Sequence, residues 1–205
     1  MEKVVLLGAG GYCAGVIDSI VSGNLYEIVG ITDPIDKKEH CGVPVIGTDE
    51  KLKEVYDNGV RCAHITVGSI ARPTVRKRLV TLAKEIGFEL VTVIDPTAIV
   101  SRFAAVGEMA YIGKNAIINA TTTIGDYCMI NTGCIVEHGC SIGDWVHIAP
   151  GATLAADIAI GDSSHIGVNA TVLQGIRIGQ DVVVGAGSTV IRDVSAGKVV
   201  YGIVK

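Results

Sequence analysis

Ile112-Gly-Lys-Asn-Ala-Ile-Ile118-Asn-Ala-Thr-Thr-Thr-Ile124-Gly-Asp-Tyr-Cys-Met-Ile130 returns to isoleucine at every sixth residue. The same step, taken outward, lands on Val100 and Val106, then on Val136, Ile142, Ile148, Leu154, Ile160, Ile166, Val172, Ile178, Val184 and Val190, with no insertion. So long a series restricted to Val, Ile and Leu is not a product of chance. Glycine often follows the aliphatic site, as at Gly107, Gly113, Gly125 and Gly143, and a small or β-branched residue stands two places before it, as at Ala116, Thr122, Cys128, Cys134 and Cys140. A period of six does not fit a helix, whereas it does fit a short strand followed by a turn, and hexapeptide repeats are a signature of parallel β-helices. Three sides then make a coil of about eighteen residues that climbs one strand spacing, about 4.8 Å. The aliphatic residue and the small one before it are expected to point inward. The glycines are expected at corners where a Cβ would collide or φ must be positive. Aromatic residues make up only 4% of the chain, as a narrow interior requires. Cys128, Cys134 and Cys140 fall on the inward small position, one per side, and read as packing residues.

Residues 1–99 follow a different pattern. Val4 to Leu7 reads as a buried strand, Gly8-Ala9-Gly10-Gly11 as a turn, Tyr12 to Ser22 as a helix and Glu27 to Thr32 as a second strand. Thr48 to Asn58 and Arg72 to Ile86 read as helices, and Ala63 to Val67 and Glu89 to Ile94 as strands. Alternating strands and helices imply a parallel, Rossmann-like α/β sheet. Asp95-Pro96 ends the last strand, which gives an α/β domain at 1–99 and an all-β domain at 100–205. The glycine turn suits phosphate at a helix N-terminus, but Cys13 stands where the dinucleotide fingerprint has its third glycine, so a nucleotide site and a plain structural turn both remain open. Ligands of open α/β sheets gather at the carboxyl ends of the strands, which would bring Gly10, Gly11, Asp33 and Gly68 together.

Composition removes several classes. Although 49% of the residues are hydrophobic and the mean hydropathy is +0.47, no apolar run approaches the ~18 residues of a membrane span. Met1-Glu2-Lys3 leads directly into a strand, so no secretory leader is expected and a cytoplasmic location is. A net charge of −4 argues against nucleic acid as a partner. The six cysteines form no Cys-x-x-Cys pair, so neither disulfides nor a zinc ribbon is expected. His147 and His165 each precede an inward aliphatic residue, so they are expected to point outward and stack in adjacent coils, while His138 lies near a corner. Their spacing does not match that of a trimeric zinc hydratase, and no metal is expected.

Two segments in register with the repeats, Asn131-Thr-Gly-Cys-Ile-Val-Glu-His138 and Ile142-Gly-Asp-Trp-Val-His147, follow an α/β domain opening Val4-Val-Leu-Leu-Gly-Ala-Gly-Gly11. Together they resemble the sugar O- and N-acyltransferases of the sialic-acid O-acetyltransferase (NeuD) and bacillosamine N-acetyltransferase (PglD) type, over almost the whole chain. The resemblance implies a left-handed β-helix, a homotrimer with sites between subunits, acetyl-CoA as donor and a sugar acceptor, often nucleotide-linked. It assigns His138 as general base, His147 as a contact of the acyl-CoA, Asn131 as a neighbour of the acceptor, and Val168 and Ala186 as backbone contacts of CoA. Gly10, Gly11, Tyr12, Asp33 and Gly68 match its nucleotide-sugar pocket. The chain departs from the family at Gly139, where an acidic residue usually follows the base, and at Gly202-Ile-Val-Lys205, where the usual close is Gly-x-Pro-Ala-Lys. The expected activity is acetylation of a sugar amine, with hydroxyl acetylation, as in a sialic-acid O-acetyltransferase, or a non-catalytic nucleotide-sugar-binding scaffold as the alternatives.

Overall fold

The computed structural model describes residues 1–35, 37–70 and 73–205. Two compact units are present, one built from residues 1–69 and 73–93 and the other running from residue 94 to 205. In the first, strands β1 (Lys3–Leu7), β2 (Glu27–Thr32), β3 (Glu39–His40), β4 (Val43–Gly47), β5 (Cys62–Ile65) and β6 (Glu89–Leu90) form a sheet in the order β3-β4-β2-β1-β5-β6. All neighbours are parallel except β3 and β4. Val4 to Leu7 are wholly buried, which is why this central strand reads as an unbroken apolar run. Among the described residues this unit also contains the α-helices α1 (Gly11–Gly23), α2 (Leu52–Asp57) and α3 (Thr74–Ile86). α1 ends on Asn24 and α3 on Gly87, each in the left-handed conformation with its N–H returned to carbonyls of the last turn.

The expected elements are recovered with local differences. The helix expected over 48–58 opens as a 3-10 turn at Asp49–Lys51, and the first residue expected for α3, Arg72, lies outside the described residues. The run 89–94 breaks after Leu90, and Val93–Ile94 is instead the outermost strand of a β-helix sheet. The β3–β4 hairpin went unread because its strands are too short for a period-two pattern; its turn is Cys41-Gly42, both at positive φ.

The second unit is a three-sided parallel β-helix. One face stacks 111–112, 129–130, 147–148, 165–166 and 183–184; the next stacks 117–118, 135–136, 153–154 and 171–172; the third stacks 123–124, 141–142 and 159–160. Pairing steps by eighteen, as in Met129 with His147 and His147 with His165. The aliphatic and small positions are buried as expected. The three inward thiols each lie within S–H hydrogen-bond reach of carbonyls one coil on: Cys128 of Gly143 (3.1 Å), Cys134 of Ala149 (3.1 Å) and Cys140 of Ala155 (3.2 Å). Burial pushes the Cys134 thiol up to about 12, the mark of a packing group.

The corners divide the work of glycine in two. Directly after the aliphatic residue it permits close stacking: a Cβ on Gly125 would stand 2.7 Å from the Gly143 carbonyl carbon. Two residues further on, the backbone is left-handed at every corner from Met109 to Gly187, yet the position holds Asn115, Tyr127, Trp145 and Asp157 as readily as Gly133 or Gly139. The corner after the second face never uses glycine in the stacking position; Asn119, Glu137, Ala155 and Leu173 form a column there. The last coil tightens, Val183 pairing with Val199 and Thr189 with Ile203, so the terminal Gly202-Ile-Val-Lys205 is spent as a closing strand.

Gly125→Ala should cost roughly 1–3 kcal/mol, the usual penalty for overpacking. Gly133→Asn should leave thermal unfolding unchanged, because a Cβ at 133 meets nothing within 4 Å and asparagine already serves this turn at 115 and 169. A second expectation concerns His64 in β5, whose Nδ1 lies 2.7 Å from the Val91 carbonyl while its Nε2 is buried without a hydrogen-bond partner among the described residues. Burial, helped by the Arg76 charge, pushes this imidazole down to about 4. The unfolded chain takes up a proton near pH 6.5 and the folded chain does not, so stability is full above pH 6.5 and falls by up to about 3 kcal/mol as pH drops to 4. Chemical unfolding of the parent and of His64→Gln across that window should show a shallower loss in the variant.

Candidate functional site

β1 delivers the chain to the glycine turn, where two kinds of glycine part company. Gly8 is held by the fold: its φ is +108° and a Cβ would strike the Val67 side chain. Gly10, which caps α1 with φ −83°, and Gly11 have ordinary backbones, and a Cβ on either would meet nothing within 4 Å. Packing therefore does not demand glycine at 10 or 11, and the bare surface at the open N-terminus of α1 suits a ligand approaching from outside. Asp33, at the end of β2, is buried, its carboxylate accepting from the backbone N–H groups of Ala9 and Ile35. It thus ties the turn to the following loop and helps line a cavity of about 270 Å³ with Ile35, Lys37, Val45 and Gly47. Gly68 lies against the Cβ of Tyr12, and the Arg76 guanidinium stands 5.8 Å from the centre of the Tyr12 ring. Gly10, Gly11, Tyr12, Asp33 and Gly68 all belong to this end of the sheet. Cys13 is fully buried and its thiol is pushed up to about 11, chiefly by burial, so it is a packing residue.

Two further side chains reach the turn. Lys37 donates to the Ala9 carbonyl (3.4 Å), and His40 Nε2 lies 3.1 Å from the Gly10 carbonyl. Lys37 precedes the hairpin that periodicity missed and His40 belongs to its first strand; the Gly42 turn followed by Val43-Pro44-Val45 was the available signal.

On the β-helix, His147 and His165 stack as expected, rings 4.6 Å apart at 66°. Their surroundings differ from a plain outward reading, for His165 is only 7% exposed, and burial lowers its pKa. The Asn131 amide nitrogen lies 2.7 Å from His147 Nε2, and His147 Nδ1 lies 3.2 Å from His165 Nδ1. Val168 and Ala186 lie exposed on the corner after this same face, one coil apart, and the Val168 carbonyl accepts from Gly187 N–H (2.8 Å).

His138 lies elsewhere. It occupies the corner between the second and third faces, opposite the face that carries His147. Its ring is exposed and makes no hydrogen bond or ion pair among the described residues. The adjacent Glu137 turns away, its carboxylate accepting from the Asn119 amide (2.8 Å). Gly139 adopts φ +71°, and Asp157 of the next coil places a carboxylate oxygen where a Cβ at 139 would stand. The carboxylate beside this corner thus comes from a neighbouring coil. Among the described residues no three His, Cys, Asp or Glu side chains are grouped to hold a metal ion, and no helix is long and apolar enough to cross a membrane.

The PglD N-terminal domain family matches residues 3–83, the bacterial transferase hexapeptide (six repeats) family residues 121–156, and the hexapeptide repeat of succinyl-transferase residues 157–192. A histidine-to-asparagine variant of perosamine N-acetyltransferase from Caulobacter crescentus, crystallised with CoA and GDP-perosamine, superposes with a TM-score of 0.93 at 33% identity, over 98% of this chain and 94% of that one. The acetyltransferase domain of PglB from Neisseria gonorrhoeae FA1090, in complex with acetyl coenzyme A, gives 0.91 at 30% identity, over 98% and 96%. WeeI from Acinetobacter baumannii AYE, at 24% identity, shares the fold with a TM-score of 0.84 over 98% and 97%. No curated protein matches the sequence.

If the glycines at 10 and 11 answer to a ligand and not to packing, Gly10→Ala and Gly11→Ala should unfold within a degree or two of the parent, whereas Gly8→Ala should lose several degrees, the order expected of about 1–3 kcal/mol in a unit this size. Thermal unfolding followed by circular dichroism checks this directly.

Proposed function

The chain belongs to the PglD-type sugar acetyltransferases, a PglD N-terminal domain followed by hexapeptide repeats, and we propose that it transfers the acetyl group of acetyl-CoA to the amino group of a nucleotide-linked sugar in the cytoplasm. The observation that carries the reading is the His138 imidazole, which is exposed and makes no hydrogen bond among the described residues. Imidazole is the side chain suited to taking a proton near neutral pH. As the sugar amine attacks the thioester carbonyl, His138 accepts its proton; the tetrahedral intermediate then collapses, the C–S bond breaks, and the CoA thiolate leaves and takes that proton back. Asn131 and His147 serve the acetyl transfer, with Val168 and Ala186 offering backbone to CoA. Gly10, Gly11, Tyr12, Asp33 and Gly68 receive the nucleotide, its phosphates drawn to the open N-terminus of α1.

This assignment requires more than one chain. A corner and the face opposite it cannot meet within one prism, so a site using His138 and His147 together takes them from different subunits. Apolar side chains left in solvent on the His138 corner support this, with Phe103 71% exposed and Leu173 and Ile191 also bare. A closed ring of three copies, in which the His138 corner of one meets the His147 face of the next, satisfies both requirements.

His138→Ala should lower kcat about 10²–10⁴-fold in an intact trimer, and His147→Ala should also be defective. Co-refolding the two variants in equal amounts should recover about a quarter of the parent's rate, since in a ring of heterologous contacts one interface in four then carries both intact imidazoles. Activity of His138→Ala within a few-fold of the parent would overturn the base assignment, and mixtures no more active than their components would overturn the shared site. Free thiol released from acetyl-CoA with a panel of nucleotide amino sugars provides the assay.

A further inference from the structure

We propose that His165 is a positioning residue of this site, fixing the ring hydrogen of His147 on Nδ1, so that His147 holds the Asn131 amide with its carbonyl oxygen turned toward a polar hydrogen of the bound substrate. The proposal rests on the reading of Asn131 and His147 as site residues and adds to it a third residue and a direction. An amide nitrogen only donates, so the Asn131 nitrogen 2.7 Å from His147 Nε2 requires a lone pair on that atom. A neutral imidazole with a lone pair on Nε2 carries its hydrogen on Nδ1. That Nδ1 faces His165 Nδ1 at 3.2 Å, and only one hydrogen fits between two ring nitrogens, so His165 accepts there and keeps its own hydrogen on Nε2.

The chain of contacts is held rigidly. His147 and His165 are direct partners in the backbone ladder, and Asn131 follows the strand that pairs with His147 from the other side. His165 is buried, which favours the neutral ring and with it the accepting nitrogen. With its nitrogen committed to His147, Asn131 has its carbonyl oxygen left, and no hydrogen bond to that oxygen occurs among the described residues. An acceptor so placed selects an N–H or O–H of the substrate, the group an acetyl-accepting sugar brings.

Two variants separate positioning from space-filling. His165→Asn keeps an accepting oxygen close to the place of Nδ1, and His165→Phe keeps a ring of similar size without an acceptor. Nitrogen-15 NMR of the imidazoles reads the His147 tautomer without recourse to activity. The parent should show His147 with its hydrogen on Nδ1, and His165→Asn should retain it with kcat within about threefold. His165→Phe should lose the single tautomer and about 10- to 100-fold in kcat, the usual order for a misplaced site group, with KM for acetyl-CoA little changed. A parent His147 protonated on Nε2 overturns the proposal whatever the enzyme's rate; so does a Phe variant matching the parent, or an Asn variant as impaired as Phe. Should His165→Phe fail to fold, the parent tautomer and the Asn variant still decide. Should neither parent nor variants acetylate any sugar, that failure falls on the proposed activity, while the NMR result still judges the three-residue contact.

Discussion

The backbone ladder between coils governs the second unit. Strand after strand repeats the same exchange, an N–H in one coil reaching a carbonyl in the next, as from Met129 to Val146 and from Ser141 to Ile158. Stacking at one strand spacing leaves no room for a Cβ where a corner turns directly over its neighbour, which is why glycine recurs at 107, 125, 143, 161 and 179. Once that spacing is set, the interior admits only slim side chains, and residues eighteen apart share a column. The chemistry on the outside is therefore arranged by column: His147 over His165, Asn119 beside Glu137, Asp157 filling the space at Gly139.

The α/β unit is organised by another constraint, the meeting of strand ends. Buried β1 stops at Gly8, β2 at Asp33, and β5 leads to Gly68, so the bare glycines, the carboxylate and the Tyr12 ring come to one edge because parallel strands end on one side. Asp33 spends its oxygens holding two backbone segments, and so shapes the pocket as much as it lines it. Buried Arg76 donates to the carbonyl of Val67, one residue before Gly68, anchoring the exit of β5 in the same way.

Period and packing were legible in the sequence; partnership across the fold was not. The step of six located the rungs from Val100 to Val190 and the inward cysteines, because identical neighbours impose identical side-chain demands, whereas the strands at 93–94, 199–200 and 203–204 were not among them. The stacking of His147 on His165 followed from the same arithmetic. The burial of His165 did not, since an outward side chain is exposed only if nothing flanks it. Gly139 looked like a missing carboxylate, and only the adjacent coil shows Asp157 in that space. The two roles of glycine were also inseparable by sequence, because a left-handed corner that accepts Trp145 or Asp157 does not announce itself by composition. In the first unit, Lys37 and His40 were invisible for want of any repeating pattern on their segment.

Five of the six cysteines are buried, and Cys41 alone is exposed. It lies in the hairpin turn directly after His40, whose ring rests on the carbonyl of Gly10. A thiol-directed fluorophore applied to the native chain therefore attaches at a single place, beside the glycine loop, and the unmodified sequence carries its own handle for an optical titration of whatever settles there.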